Sequence, residues 1–206
     1  HFQFQTVSNI ISGLGSIYQL KPLLQQQPYK KLLLVTDAGM IQQQLHLPII
    51  EILETIQLDY VIYSSVQADP PEHIVLDAVQ FAKNEKVDIV LGFGGGSSLD
   101  VAKIIAILAH PQQQQTLPDL YGINNAKPPR LPLFLVPTTA GTGSEVTPIS
   151  IVTTGETTKT GIVSPVLFAD VAILDATFTQ NLPAHITAAT GIDAMVHAIE
   201  AYTSKI

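Results

Sequence analysis

The chain contains no cysteine among its 206 residues. That excludes a disulfide framework and any thiolate metal site, and it is compatible with a reducing cytoplasm. Charge is also scarce. Charged residues make up 13% of the chain, with ten Lys and Arg against seventeen Asp and Glu, for a net charge of −7. A nucleic-acid groove needs a basic stripe, and none is present, so no nucleic-acid partner is expected. No apolar run reaches the roughly 18 residues of a membrane span. His1 to Gln5 has neither a basic region nor an apolar segment, so a signal peptide is not expected. An initiator methionine is missing too, and the chain is expected to be a trimmed piece of a longer protein.

Hydrophobic residues, by contrast, make up 46% of the chain. That balance suits an α/β protein whose parallel strands are buried on both faces, and possible assembly into an oligomer. The length suffices for one large domain, or one domain and part of another. A chain of this size buries roughly 70% of its unfolded surface, so its core needs no staples.

Short apolar runs alternate with helical patterns. Lys31 to Thr36, Tyr60 to Ser64, Asp88 to Leu91, Leu133 to Val136 and Val171 to Leu174 read as strands. Gly39 to Leu45, Pro71 to Asn84 and Ser98 to Ala109 read as helices between them. Strand-helix alternation predicts βαβ units and a Rossmann-like parallel sheet with helices on both faces. The segment Phe2 to Ile11, running into a turn at Gly13 and Gly15, reads as an edge strand that pairs with its own sheet or a neighbour. Glutamine runs at 25–27, 42–44 and 112–115 read as surface helix ends and loops. Pro183 to Ser204 reads as helical with no further strand. The expected division is an α/β domain over 1–180 and the start of an all-helical domain over 181–206, too short to bury a core of its own.

Three segments and one acid carry candidate chemistry. The first segment is Gly92-Phe93-Gly94-Gly95-Gly96-Ser97-Ser98-Leu99-Asp100, where a strand runs through glycines into a helix. Such a junction presents backbone N–H groups and the positive end of a helix dipole to an anion. Ser97 and Asp100 have the spacing of a capping box, which would start the helix there. Lys103 would reach phosphate or pair with a surface acid. The spacing matches neither GxGxxG nor the Walker pattern, so a simple tight turn is the alternative. The acid is Asp37, at the carboxyl end of the first long strand, placed either to accept from a ribose diol or to cap the helix that follows. On a ribose it would select NAD over NADP. Like charges about 4 Å apart cost roughly 4 kcal/mol at an effective dielectric of about 20, close to a thousandfold in affinity.

The second segment, Pro137 to Thr147, reads PTTAGTGSEVT. Its hydroxyls offer neutral hydrogen bonds to a pyrophosphate or an amide, and its place after a parallel strand favours a ligand over an ordinary turn. Lys159 would add a cation. The third is Gly191 to Glu200, GIDAMVHAIE, which puts Asp193 and His197 one helical turn apart on one face, where they can grip a single cation.

Together these residues resemble the iron-containing (group III) alcohol dehydrogenases. The resemblance rests on Gly94-Gly95-Gly96-Ser97 with Asp100 and Lys103, on PTTAGTGSEVT, and on TAATGIDAMVHAIEAYTS from Thr187 to Ser204, with support from Ala68 to Glu72 and Asn9 to Gly15. It implies a dinucleotide-binding domain, a helical domain and an active site between them. Gly94, Gly95, Gly96, Ser97 and Asp100 would bind the cofactor pyrophosphate. Thr138, Thr139, Thr142 and Thr147 would line the cofactor with Lys159 nearby, and Asp37 would hold the ribose. Asp193 and His197 would be the first two metal ligands. Two further histidine ligands would come from the helical domain, beyond the end of this chain. His46, His73, His110 and His185 match no ligand position and read as surface or structural.

The implied activity is reversible hydride transfer between a primary alcohol and NAD, with Fe(II) or Zn(II) as a Lewis acid on the substrate oxygen. The implied setting is a cytoplasmic homodimer, and no residue is assigned as a general base. Within enzymes the alternatives are a lactaldehyde or diol reductase and a glycerol dehydrogenase-like enzyme. Outside them, the alternatives are a catalytically silent NAD-binding module and a purely structural assembly domain.

Overall fold

The computed structural model describes residues 5–180 and 182–204. The strands are β1 (Ile10–Ser12), β2 (Lys31–Asp37), β3 (Asp59–Val66), β4 (Ile89–Gly94), β5 (Gly122–Ile123), β6 (Leu133–Pro137), β7 (Ile149–Thr154), β8 (Thr158–Val163) and β9 (Val171–Leu174). The helices are α1 (Leu20–Gln25), α2 (Ala38–Gln42), α3 (Leu47–Thr55), α4 (Glu72–Glu85), α5 (Gly96–Leu108), α6 (Leu117–Leu120) and α7 (Ala184–Thr203). Six strands form a wholly parallel sheet in the order β1-β9-β6-β4-β2-β3. A small second sheet, β5-β8-β7, flanks it.

The strands read as continuous apolar runs because both faces are covered. Leu33, Val35, Val90, Leu133 and Leu135 pack on one side with α4 and α5. Leu32, Leu34, Ile89, Leu91, Phe93, Phe134 and Val136 pack on the other with α1 and α3. The strict alternation within each strand is the period of two that a pleated backbone imposes. Gly92 breaks the run for a steric reason. A Cβ there would lie 2.8 Å from both Ala102 Cβ and Leu135 Cδ2, so glycine lets α5 lie close on the sheet.

The five expected strands are all present, and the N-terminal segment supplies an edge strand that pairs parallel with β9, but only over Ile10–Ser12; residues 5–9 of the expected strand are not in strand. The part of that expected strand before Gln5 lies outside the described residues. Two elements depart from expectation. The helix expected over 39–45 ends at Gln42, because Gln44 takes a left-handed φ of 58°, and the chain restarts as α3 with Pro48 in its first turn. The β7–β8 hairpin has no counterpart in the sequence reading.

The two ends of the sheet's chain are tied by a buried acid. Asp175 Oδ1 accepts from the N–H groups of Gly15 (3.1 Å) and Thr177 (3.0 Å), and Oδ2 accepts from Ile17 N–H (3.0 Å). Burial pushes this carboxyl up, but the hydrogen bonds from Ile17, Thr177 and Gly15 outweigh it and hold it below the ordinary aspartate range. A carboxyl lowered in the folded state stabilises the fold fully above the unfolded value, and that stability is lost as pH falls through the folded one. Asp175→Asn is therefore expected to lose about 1–2 kcal/mol at pH 7. The gap to the parent should begin to narrow at about pH 4 and close only as pH falls through the lowered folded value. Urea unfolding across pH 3–7 measures it, and a gap that does not vary with pH would remove the ionised carboxylate from the account.

Candidate functional site

Chain order reverses direction between β2 and β4, because β3 lies outside β2 while β6 and β9 lie beyond β4. A crevice opens at the carboxyl ends of strands at such a switch point. Asp37 ends β2 and Gly94 ends β4, so both stand on it.

Asp37 combines the two roles open to it in sequence. It is the N-cap of α2, with Oδ1 accepting from Gly39 N–H (2.8 Å) and Met40 N–H (3.2 Å). Its Oδ2 points the other way, 3.2 Å from where a Cβ on Gly94 would sit. Capping therefore uses one oxygen and leaves the second facing the glycine loop.

The glycine loop opens α5, but not by the expected capping box. The N-cap is Gly95, with extended backbone and no side-chain cap, and the helix begins at Gly96. Ser97 lies inside the first turn. Asp100 is turned away from that turn, with Oδ1 accepting from Ser144 Oγ and Oδ2 from Ile151 N–H (2.9 Å). The first N–H groups of α5 thus carry no side-chain partner of their own, the arrangement that receives an anion. Gly94 adopts a φ of 145°, which a side chain rarely tolerates, and a Cβ there would strike Ser98.

The hydroxyl loop faces this turn closely. A Cβ on Gly95 would lie 3.7 Å from Thr139, and one on Gly96 would lie 3.3 Å from Thr142. Thr138 N–H bonds Gly94 O at 2.9 Å, continuing the ladder past the strand ends. Among the described residues, three buried hydroxyls have no hydrogen-bond partner: Thr36, Thr138 and Thr139. Thr36 lies at the carboxyl end of β2, and Thr138 and Thr139 follow β6. Buried orphans of this kind are uncommon and call for a partner. Thr138 also borders a cavity of about 20 Å³ beside Phe178, room for one ordered water. Thr36 went unremarked in the sequence, although its place immediately before Asp37 marks it.

A cleft of about 800 Å³ runs outward from this point. Its wall includes Gly96, Ser97, Asp100, Thr142, Thr147, Lys159, Asp193 and His197. Asp37, Gly94, Gly95, Thr138 and Thr139 stand behind it at the strand ends. The wall also holds Ile149 and Ile151, which no sequence motif contains, and Asp69, Ser144 and Glu200, which lie in the quoted motifs without an assigned role. Lys159 is half exposed and pairs with Asp69 at 2.5 Å. Asp69 takes a left-handed φ of 50°.

Lys103 does not reach solvent, and its acidic partner is Asp100 on the cleft wall, at 3.4 Å. The lysine is fully buried, and burial lowers its pKa while the neighbouring Asp100 and Glu145 oppose the shift. Burial likewise raises the Glu145 carboxyl, against its own backbone N–H and Lys103.

On the opposite wall, α7 carries Asp193 and His197, with Oδ1 and Nε2 3.7 Å apart and both side chains about half exposed. An imidazole and a carboxylate on one helix face suit Fe(II) or Zn(II). Among the described residues no group of three His, Cys, Asp or Glu side chains converges as a metal site. The pair therefore fits one edge of a metal shell. His46 is buried, with Nδ1 near Met40 O, a structural place as expected. Among the described residues no helix is long and apolar enough to cross a membrane.

Comparison with known proteins agrees with this geometry. The family model described as iron-containing alcohol dehydrogenase matches residues 8–176. Long-chain-alcohol dehydrogenase 1 of Geobacillus thermodenitrificans is 41% identical over 193 residues, which are 93% of this chain and 49% of that protein. The crystal structure of a 1,3-propanediol oxidoreductase superposes with a TM-score of 0.93 at 34% identity, over 100% of this chain and 53% of that one. Sulfoacetaldehyde reductase from Bifidobacterium kashiwanohense, solved in complex with NAD+, superposes with a TM-score of 0.89 at 28% identity, over 100% of this chain and 54% of that one. The chain spans about half the length of the curated relatives it matches.

Proposed function

Because this chain belongs to the iron-containing alcohol dehydrogenase family, we propose that it binds NAD at the switch-point crevice and serves reversible hydride transfer between a primary alcohol and its aldehyde. The observation that carries the reading is the convergence of Asp37, the uncapped start of α5 and the orphaned hydroxyls of Thr138 and Thr139 on one crevice. The relative solved with NAD+ supports the choice of cofactor.

In this reading Asp37 Oδ2 accepts from the adenosine ribose. Gly94, Gly95, Gly96 and Ser97 offer backbone N–H groups to the pyrophosphate, which glycine allows to approach closely. Thr138, Thr139, Thr142 and Thr147 orient the remainder of the cofactor, with Thr36 buried behind them, and Asp100 acts through the residues it holds. Lys159, kept at the rim by Asp69, adds one positive charge. Asp193 and His197 would hold a divalent metal, Fe(II) or Zn(II), on the facing wall. When bound, the nicotinamide supplies the hydride chemistry and the metal supplies Lewis acidity. Ile149 and Ile151 face the cleft with apolar side chains and displace water from it.

We assign residues 1–180 to the cofactor domain and 181–206 to the start of a helical domain, and expect a cytoplasmic homodimer. The diol oxidoreductase likeness keeps a diol or lactaldehyde reductase as the second reading of substrate. Calorimetric titration with NAD and with NADP, each with and without zinc, tests the proposal. NAD binding well ahead of NADP is the expected result. Absence of binding by either cofactor at millimolar concentration would sink it, and binding without metal-supported turnover would mark a silent cofactor module.

A further inference from the structure

Lys103 lies on α5 and has a relative exposure of 0%. Its Nζ donates to Ile149 O at 2.5 Å and Ser144 Oγ at 3.1 Å, with Asp100 Oδ1 at 3.4 Å and Thr147 Oγ1 at 3.5 Å. Asp100, one turn before it, extends the reach. Its carboxylate accepts from Ser144 Oγ and Ile151 N–H, and its carbonyl accepts from Ser150 Oγ at 3.0 Å. Two residues of one helix thus fasten both the end of the hydroxyl loop and the first half of β7. Neither segment has another anchor of this kind. The loop's 144–146 turn is a single 3-10 turn, and the first half of β7 otherwise pairs with β8 in the small sheet, while only its far end reaches another segment, through Thr153 to Pro70 and Asp69.

Burying an ammonium carries a large desolvation cost, and an apolar side chain of similar length would fill the same space without it. What the apolar side chain cannot do is hold three oxygens on two separate segments at fixed directions. Those segments carry Thr142, Thr147, Ile149 and Ile151, all on the wall of the cleft. Asp37 and the ribose end lie away from this network, beyond Gly94.

We infer that Lys103 is a positioning residue for cofactor binding: with Asp100 it forms a buried strut that holds the 142–151 wall at a set distance from the first turn of α5. The strut pre-organises the part of the crevice that receives the pyrophosphate and what lies beyond it, and leaves the adenosine end untouched. Pre-organisation raises affinity by removing the ordering cost at the moment of binding. The inference rests on the dinucleotide reading of the crevice, and its test separates the two.

The variant is Lys103→Met in the full 206-residue chain, titrated with NAD and, separately, with adenosine, which carries no phosphate and occupies only the adenosine end. The strut predicts that the NAD dissociation constant rises about tenfold while that of adenosine stays within about twofold. Amide exchange across 142–151 should accelerate at least tenfold with β2 and β4 unchanged. Should Lys103→Met not fold, Ser144→Ala cuts the loop end of the same strut and must give the same split. Equal weakening of NAD and adenosine with a general rise in exchange would make Lys103 a support of the fold alone and overturn the inference. So would unchanged NAD affinity in a variant that folds. If the parent chain binds NAD no better than adenosine, or binds neither, the dinucleotide reading itself fails, and the strut loses its task with it.

Discussion

Replacing Asp37 by glycine is expected to erase most of the preference for NAD over NADP, a change of about two to three orders of magnitude in the ratio of their affinities. The carboxylate divides its work. Oδ1 caps α2, while Oδ2 faces the space beside Gly94 where the ribose would lie. A 2′-phosphate there meets a like charge at about 4 Å, worth roughly 4 kcal/mol at an effective dielectric of about 20. Solvent reaches Asp37 in part and screens some of that, which sets the lower end of the range. Glycine also removes the cap, but glycine is itself tolerated at N-cap positions, so the stability loss should be only a few tenths of a kcal/mol. Asp37→Asn keeps a capping oxygen and loses the charge. It should relax cofactor choice with unchanged stability. Calorimetry with both cofactors on the two variants measures this, and an unmoved NAD/NADP ratio would take Asp37 out of the ribose site.

Gly141→Ala should abolish coordination between the two walls of the cleft while leaving the cofactor wall intact. A Cβ at Gly141 would fall 2.1 Å from the backbone oxygen of Thr190 in α7, so the two segments must part by roughly 1 Å. The loop is the better anchored of the two, through Thr138 N–H to Gly94 O and Ser144 to Asp100. None of the α7 side chains is buried, so the helix is the part that moves. It takes Asp193 and His197 with it. A misplacement of about 1 Å in a reacting geometry costs about a hundredfold in rate. In the full-length enzyme, metal-supported alcohol turnover is therefore expected to fall about a hundredfold with NAD affinity within about threefold. His197→Ala in the full-length enzyme, which removes a donor outright, should lose turnover completely with the same retention of NAD. Full activity in Gly141→Ala would mean that α7 is not seated on the loop in the working enzyme, and full activity in His197→Ala would remove it from the ligand set.

What could be read from the residues, and what could not, follows from where each segment is buried. β2, β4, β6 and β9 were legible as uninterrupted apolar runs because sheet neighbours and helices cover both of their faces. Asp37, the glycine loop and Pro137 to Thr147 were legible because their composition suits little else. The β7–β8 hairpin was not, and its pattern explains why. Ser150 is fully buried, bonded to Asp100 O, while Ile149 and Ile151 are more than a third exposed on the cleft. Polar-in and apolar-out is the inverse of an ordinary strand, and it occurs where the strand forms the wall of a site. The capping box expected at Ser97 and Asp100 was misread for a related reason. The spacing is right, but Asp100 is claimed by Ser144 and Ile151, contacts some fifty residues away that no local rule can see. The box does occur at Thr116 and Asp119, where no such competitor exists among the described residues.

The pairing of β1 with β9 joins Ile10 to Ala172 and Ser12 to Leu174, and Asp175 secures it from one side only. On a ribosome, β1 emerges long before β9 and can pair with it only once β9 has been made. At about 5–20 residues per second, β1 waits on the order of 8–30 seconds for its partner to be made. During that interval β1 lacks the β9 neighbour that it has in the folded chain. The nascent chain therefore passes through a stage that a chaperone or a protease can recognise, and residues 10–12 are where it would take hold.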